Sequence, residues 1–181
     1  MVYLLSTQND TGTNMQSFLI TPASFEETSR LLDNKRLHKQ TLEAWQCLMV
    51  MAKLDKEGNY REPKGWVNHP VVKMWRGHET LFVSYITATY FEWRSRGYKS
   101  TLLDKTYATY DLGVKLGTIN GEMSIPNWMA DTQYYERLCS THRTALLCKH
   151  YDWYSKFGWV EDSGIAPATY EYAWPHQDGY V

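Results

Sequence analysis

The sequence predicts an all-α protein: a compact single-domain helical bundle with long loops and an irregular C-terminal tail. Apolar residues recur every three or four positions in several stretches, whereas the alternating β-branched runs of strands are sparse. Capping residues and glycine or proline stops separate these stretches. With 181 residues, the chain is long enough to bury a core. We expect residues 1–14 to be an N-terminal extension and residues 15–181 to be one domain.

The first two helices are expected to meet at Asp33 and Asn34. Thr21 followed by Pro22 resembles a helix cap and a first-turn residue, which places the first helix from there to about residue 32. The second helix then extends to about residue 53. Its buried side is marked by apolar residues at helical spacing, namely Leu37, Trp45, Leu48 and Ala52.

A third helical stretch begins at Asn68 and Pro70, after a polar loop. Gly77 is expected to break or bend this stretch. Arg94, Arg96 and Gly97 then supply a basic last turn and a glycine stop.

The last helices are shorter or interrupted. One is expected over about residues 101–112, followed by a glycine-bearing loop that ends at Pro126. Asp131 can cap a final long helix that extends, with an interruption, to about residue 157. The tail beyond it has scattered tyrosines without periodicity, and we expect it to wrap around the surface.

Composition restricts the class of protein. The chain is 43% hydrophobic and 22% charged, and no apolar run reaches the roughly 18 residues of a membrane helix. Its three cysteines form no C-x-x-C pair, which favours reduced thiols in the cytoplasm of a bacterial or phage-infected cell. Nucleotide-binding glycine motifs and zinc motifs are absent. We therefore expect no cofactor and no metal, and a monomer.

The net charge of −1 hides an uneven distribution. Residues 160–181 carry four acidic residues and no lysine or arginine, so the rest of the chain has more basic than acidic residues. A modest positive face is therefore possible on the remainder.

One row of polar side chains on the second helix is a candidate site. Arg36, Lys39, Glu43 and Gln46 follow one another at steps of three or four residues and therefore share a face. The row is either a solvated surface or, in a cleft, a catalytic site. In a cleft, a desolvated glutamate can act as a general acid or base, and a nearby amine can attack a carbon centre.

Several motifs of the chain resemble those of the pyrimidine-dimer DNA glycosylases, the endonuclease V-like family, and above all its small phage and actinobacterial members. The resemblance extends over about residues 15–175. It rests on the order of "MQSFL", "LDNKRLHKQ" with Glu43, "NHPVVKMWRGHE", "GHETLFVSYITATYFEWRSRGY", "PNWMAD", "STHRTALLCKHYDWY" and "YAWP".

The resemblance implies an all-α enzyme that acts on double-stranded DNA. Such an enzyme cuts the base–sugar bond at damaged or modified pyrimidines and then nicks the strand through an imine. Glu43 falls on the family's catalytic carboxylate, and Arg36 falls where the family places a histidine near the sugar. Candidate DNA-binding residues are Lys35, Arg76, His78, Arg143, Lys149, Trp153, Tyr154 and Lys156.

The sequence departs from the family pattern in two respects. Leu42 and Gln46 stand where the family has arginines, which removes expected phosphate contacts. The family's nucleophile is an α-amine exposed by removal of the first methionine, but the family-like start of this chain lies at Met15. Val2 would supply that amine if Met1 is removed and the extension folds into the cleft. Otherwise Lys39, one turn from Glu43, is the internal candidate.

A DNA glycosylase must also unstack the nucleotide that it attacks. Trp66, Trp75 and Trp153 are candidate rings to fill the resulting gap. The alternative to an enzyme is a non-catalytic module that binds a nucleotide or a protein, such as a phage counter-defence or regulatory protein.

Overall fold

A computed structural model describes residues 15–180 of the chain. This part contains eight α-helices, a short 3₁₀ turn at Ser155–Phe157 and no strand other than an isolated bridge between Leu54 and Tyr60, so the predicted all-α class is confirmed. The helices are α1 (Phe25–Leu31), α2 (Asn34–Ala52), α3 (Pro70–Trp75), α4 (Glu79–Ser95), α5 (Leu102–Lys115), α6 (Asn127–Ala130), α7 (Thr132–Lys149) and α8 (Tyr151–Tyr154).

Side-chain caps fix where the helices begin. Asp33 accepts a hydrogen bond from the backbone N–H of Arg36 at the start of α2, and Asp131 caps α7 as predicted. The expected start at Thr21 and Pro22 is wrong. Ser24 is the N-cap of α1, because its hydroxyl rather than that of Thr21 accepts from a first-turn N–H.

Two breaks predicted from the sequence are confirmed. Gly77 separates α3 from α4 with φ +84°, a left-handed conformation that suits glycine. The last helix is interrupted at His150, between α7 and α8. In contrast, α5 continues to Lys115, beyond the expected end.

The core lies where α2 packs against α4 and α5. Its largest fully buried side chains include the rings of Trp75, Phe82 and Tyr85, which contact one another with centroids 4.8 to 6.0 Å apart. Burying an aromatic or aliphatic side chain of this size stabilises the fold by about 1.5–3 kcal/mol. This packing fixes the orientation of α2, on which the polar row lies.

Arg96 joins the end of α4 to the end of α1. Its guanidinium donates to the carbonyls of Ser29, Arg30 and Leu32 and pairs with Glu92 at 2.8 Å. Carbonyls at the C-terminal end of a helix lack part of their intrahelical bonding, and Arg96 supplies donors to three of them here.

Residues 15–20, before α1, have no regular secondary structure and are all buried. This segment belongs to no sheet, so its backbone groups bond to side chains instead. Gln40 accepts from the N–H of Phe18 at 2.8 Å, and Tyr85 donates to the carbonyl of Phe18 at 3.0 Å. The N–H of Leu19 donates to Nδ1 of His142 at 2.9 Å.

Arg143 connects this segment to the tail. It donates to the carbonyl of Ile20 at 2.8 Å and pairs with Glu161 at 2.8 Å. The tail beyond α8 is irregular, as expected, and Ala173 in it packs into the core. The tail therefore contributes to burial as well as covering the surface.

Residues 1–14, predicted to be an extension, and Val2 within them lie outside the described residues. Between residues 15 and 180, no helix is both long and apolar enough to cross a membrane.

The buried imidazole of His142 predicts a pH-dependent stability. Burial lowers the pKa of His142 to about 3, from an ordinary value of 6.5. Between these values the unfolded chain binds one more proton than the folded chain, so the free energy of unfolding falls as the pH falls through that range. The slope contributed by one such group is at most about 1.4 kcal/mol per pH unit. Denaturant unfolding between pH 4 and 7 should show a smaller slope for His142→Asn than for wild type.

The exposed His38 gives the matched control. His38→Asn should leave the pH slope of the wild type in place, because this ring lies at the surface. Equal slopes for wild type and His142→Asn would contradict the prediction.

Candidate functional site

Glu43 lies in the middle of α2 with most of its side chain covered. Only 16% of the side chain is exposed, and its Oε1 lies 3.4 Å from the Nζ of Lys39, one turn earlier. Lys39 is itself 46% exposed. The carboxylate is therefore sheltered, while its cationic partner lies at the edge toward solvent.

The buried segment at residues 15–20 contacts this carboxylate through the backbone of Gln16. Burial raises the pKa of Glu43, and both the Lys39 cation and a hydrogen bond from the backbone of Gln16 oppose that rise without cancelling it. A carboxyl group with a raised pKa can hold and release a proton closer to neutral pH. The position of Glu43 therefore suits proton transfer.

Gln16 is a residue that the sequence did not single out. It is 4% exposed, and within the described residues its side-chain amide has no hydrogen-bond partner for either the oxygen or the nitrogen. Buried amides without partners are uncommon in folded proteins. The only signal in the sequence was the family-like start at Met15, immediately before Gln16.

Arg36, the first member of the polar row, is directed away from Glu43. Its guanidinium pairs with Asp33 at 2.7 Å and lies 5.8 Å from the centroid of the Tyr154 ring. Burial acts to raise the pKa of Asp33, but the hydrogen bonds from Tyr154 and Arg36 outweigh it and hold this pKa below its ordinary value. The structure therefore brings Lys39 and Glu43 together and leaves Arg36 in a separate cluster.

The C-terminal aromatic segment forms the other side of that cluster. The hydroxyl of Tyr154 donates to Asp33 at 2.6 Å, and the indole N–H of Trp153 donates to the carbonyl of Leu31 at 3.1 Å. Tyr154 is fully buried, whereas Lys156 is exposed and lies 4.2 Å above the Trp153 ring. Of Trp153, Tyr154 and Lys156, Lys156 is therefore the most accessible to solvent.

The other predicted DNA-binding residues divide into two groups. Lys35 and Arg76 are exposed, although Arg76 also donates to the carbonyl of Val67 at 3.3 Å. The second group is half-buried and bonds to other side chains: Arg143 pairs with Glu136 and Glu161, Lys149 bonds to the Tyr170 hydroxyl, and His78 bonds to Ser124.

The predicted gap-filling rings also differ in exposure. The suggestion of Trp75 is wrong, because this ring is fully buried and packs edge-on against Trp128. Trp66 is 43% exposed and Trp153 is half-buried. Trp66 is therefore the most accessible of the three.

No group of three or more His, Cys, Asp or Glu side chains in residues 15–180 could hold a metal ion. Burial raises the pKa of the Cys47 thiol well above its ordinary value and that of Cys139 to about 12. These two thiols are therefore protonated and unsuited to nucleophilic attack at neutral pH.

Substituting Glu43 should stabilise the protein. Because the pKa of Glu43 is raised in the folded state, the stability that this group contributes is present below pH 4.5 and is lost as the pH rises through its folded pKa. Glu43→Gln should therefore raise the thermal midpoint at pH 7, and the difference from wild type should close below pH 4.5. Glu122→Gln, at an exposed position, is the control and should change neither value. A lower thermal midpoint for Glu43→Gln than for wild type at pH 7 would contradict the inference that burial makes the charged form of Glu43 unfavourable.

Comparison with known proteins gives one match. A family model described as pyrimidine dimer DNA glycosylase matches residues 15–106, whereas no curated protein and no solved structure matches the chain. The match contains the buried segment, α1 to α4 and both members of the Lys39–Glu43 pair. The resemblance noted beyond residue 106 remains a prediction. Since the match covers half of the sequence, the chain belongs to the pyrimidine dimer DNA glycosylase family.

Proposed function

We propose that this protein is a DNA glycosylase that removes damaged or modified pyrimidines from double-stranded DNA and then cleaves the strand through an imine. The observation that supports the proposal is the sheltered carboxylate of Glu43 with an amine 3.4 Å away. The family match, which includes both residues, supports the same chemistry.

The first step replaces the base by an amine. Glu43 accepts a proton from Lys39, and the neutral amine attacks C1′ of the damaged nucleotide. The bond from C1′ to the base breaks, and the base leaves with the bonding electrons and takes up a proton. The sheltered environment of Glu43 suits this exchange, because its pKa lies above the ordinary value.

The second step opens the sugar and breaks the strand. The nitrogen on C1′ loses a proton, Glu43 protonates the ring oxygen, and the bond between that oxygen and C1′ opens to leave a protonated imine. The imine acidifies C2′, so that the Glu43 carboxylate can remove a proton there. Elimination then expels the 3′ phosphate.

A second nitrogen lies against Glu43 but is not a nucleophile in the intact chain. The backbone N–H of Gln16 bonds to the carboxylate, but an amide nitrogen does not attack carbon. In a chain cut between Met15 and Gln16, that nitrogen would be an α-amine, whose reference pKa of about 8 is lower than the roughly 10.4 of lysine. In the intact chain we assign the attack to Lys39. The Val2 amine lies outside the described residues.

Borohydride trapping tests the imine and its nitrogen. Incubated with ultraviolet-irradiated or abasic duplex and borohydride, the wild type should form a covalent adduct, because hydride reduces the imine to a stable amine. Glu43→Gln should lower the rate of adduct formation by about 10²–10⁴-fold, as expected for loss of general acid–base catalysis. Lys39→Gln should abolish the adduct, whereas the control Lys115→Gln, at an exposed lysine on α5, should not.

Mass spectrometry of the digested adduct identifies the attacking residue. An adduct on residue 39 supports Lys39, and an adduct that persists in Lys39→Gln assigns the attack to an α-amine. Intact substrates and no adduct with wild type would overturn the proposed activity.

The non-catalytic alternative is favoured by the loss of cations near Glu43. Leu42 and Gln46 stand where the family has arginines, and Arg36 is paired with Asp33. The enzyme, in contrast, must bind DNA phosphates, for which the exposed Arg76 and Lys156 are the candidates. Each such contact makes the slope of log affinity against log salt more negative by about 0.9.

A salt series distinguishes the enzyme from the module. Arg76→Ala and Lys156→Ala should each reduce the salt slope of duplex binding by about 1, measured by fluorescence anisotropy. Lys115→Ala, an exposed lysine on α5, is the control and should leave the slope unchanged. Absence of measurable duplex binding by the wild type would favour the module.

A further inference from the structure

Two side chains on α2 bond to the backbone of the buried segment at residues 15–20. The N–H of Phe18 donates to Oε1 of Gln40 at 2.8 Å, and the N–H of Gln16 donates to the carboxylate of Glu43. Gln40 and Glu43 are three positions apart and are therefore neighbours on the surface of the helix. One turn of α2 thus holds two alternate N–H groups of the segment.

The spacing of these two bonds defines a single register between the segment and α2. Three residues of helix rise about 4.5 Å, and two residues of non-helical chain span at most about 7 Å. Met15 continues the same alignment, because its thioether contacts the thiol of Cys47, one turn after Glu43. The segment is therefore antiparallel to α2, and a displacement by one residue would separate the Gln16 N–H from Glu43.

Tyr85 on α4 holds both Gln40 and Phe18 in this register. Its hydroxyl lies 2.6 Å from Oε1 of Gln40 and 3.0 Å from the carbonyl oxygen of Phe18, and both oxygens are acceptors. Burial raises the pKa of Tyr85 well above its ordinary value, and the charge of Glu43 acts in the same direction. The hydroxyl of Tyr85 is therefore protonated at neutral pH and remains a donor.

Other side chains hold the segment from other helices. The N–H of Leu19, for example, donates to Nδ1 of His142 on α7 at 2.9 Å. Gln40 differs from His142 because it belongs to the same helix as Glu43 and so fixes where the segment lies along α2. Gln40 is also only 2% exposed, so the loss of its oxygen would leave a buried N–H without an acceptor.

We propose that Gln40 and Tyr85 are positioning residues of the site, which fix the register of residues 15–20 along α2 and so keep the Gln16 N–H on the Glu43 carboxylate. The effect on rate rests on the proposed glycosylase function, whereas the contact itself can be measured without DNA. Burial raises the pKa of Glu43, and the Gln16 N–H opposes that rise. Loss of the contact therefore keeps the carboxyl group protonated up to a higher pH.

The titratable groups that face Glu43 come from α2 and α4. Burial is the largest influence on the pKa of Glu43, and the Lys39 cation opposes it. Cys47 and Tyr85 also interact with Glu43, but burial raises the pKa of both, so both are neutral at pH 7. Removing the Tyr85 hydroxyl therefore removes no charge, and a changed titration of Glu43 would report the position of the segment.

An NMR titration of the Glu43 carboxyl carbon is the first arm of the test. The protein is labelled with carbon-13 at its glutamate carboxyl groups, and Glu43→Gln assigns the resonance. Tyr85→Phe, which keeps the ring, and Gln40→Met, which keeps most of the side-chain volume, should each raise the midpoint of this titration by about 0.5–1 pH unit. A displacement of that size corresponds to the net contribution of one hydrogen bond.

Thr89→Val is the matched control. Thr89 is another buried residue of α4 whose hydroxyl bonds to α2, at 3.2 Å from the hydroxyl of Thr41. Its loss should lower the thermal midpoint of unfolding but leave the titration of Glu43 unchanged. The proposal is overturned if Tyr85→Phe titrates like wild type, or if Thr89→Val is displaced as far as Tyr85→Phe. Tyr85→Phe decides the question alone if Gln40→Met does not fold.

The second arm measures the rate of adduct formation with an abasic duplex and borohydride as a function of pH. Because Glu43 must be charged to accept a proton, the acid limb of the profile should move to higher pH in Tyr85→Phe and stay in place in Thr89→Val. An active wild type with the same acid limb as Tyr85→Phe would overturn the role of Tyr85 in the reaction. If wild type forms no adduct, the proposed glycosylase fails, and the carboxyl titration still decides whether Gln40 and Tyr85 position Gln16.

Discussion

The segment formed by residues 15–20 is buried without a helix or sheet to satisfy its backbone, and the fold depends on the side chains that bond to this backbone instead. Gln40, His142 and Arg143 contribute acceptors and donors from α2 and α7. An unpaired buried amide or carbonyl costs about 1–3 kcal/mol, so the loss of one of these bonds would be large beside the 5–15 kcal/mol typical of a domain. They also place the backbone of Gln16 against Glu43.

Burial and its polar contacts act in opposite directions on the ionisation of Glu43. Packing of α2 in the core shelters the carboxylate, which makes its charge costly, while Lys39 and the Gln16 N–H offset part of that cost. A group that is held in an unfavourable ionisation state is a common feature of catalytic sites. The neighbouring Asp33 shows the opposite balance, since its hydrogen bonds outweigh burial. Within ten residues of one helix, two carboxylates thus have environments that shift their pKa values in opposite directions.

Much of the fold could be predicted from local patterns, and much of the site could not. The spacing of Leu37 and Leu48, the Asp131 cap and the Gly77 break each depend on neighbouring residues, and the structure contains all three features. The sequence also placed Lys39 beside Glu43, because helical spacing fixes that pair. The bond from the Gln16 backbone to Glu43 and the contact of Arg36 with the Tyr154 ring arise from tertiary packing, and no periodicity indicates them. The exposure of a ring, as the buried Trp75 illustrates, is likewise decided by the assembled core.

The bonds from Arg143 have a consequence for the modular organisation of the chain. The family pattern ends at residue 106, yet the carbonyl of Ile20 and the N–H of Leu19 are satisfied by α7, which lies beyond it. An excised piece with only the recognisable half would leave these groups unpaired and would lose the aromatic cover of Tyr154 over Asp33. The part of the chain beyond residue 106 thus acts as an internal scaffold, and transplanting the matched part alone into another protein would transfer Lys39 and Glu43 without the framework that orients them.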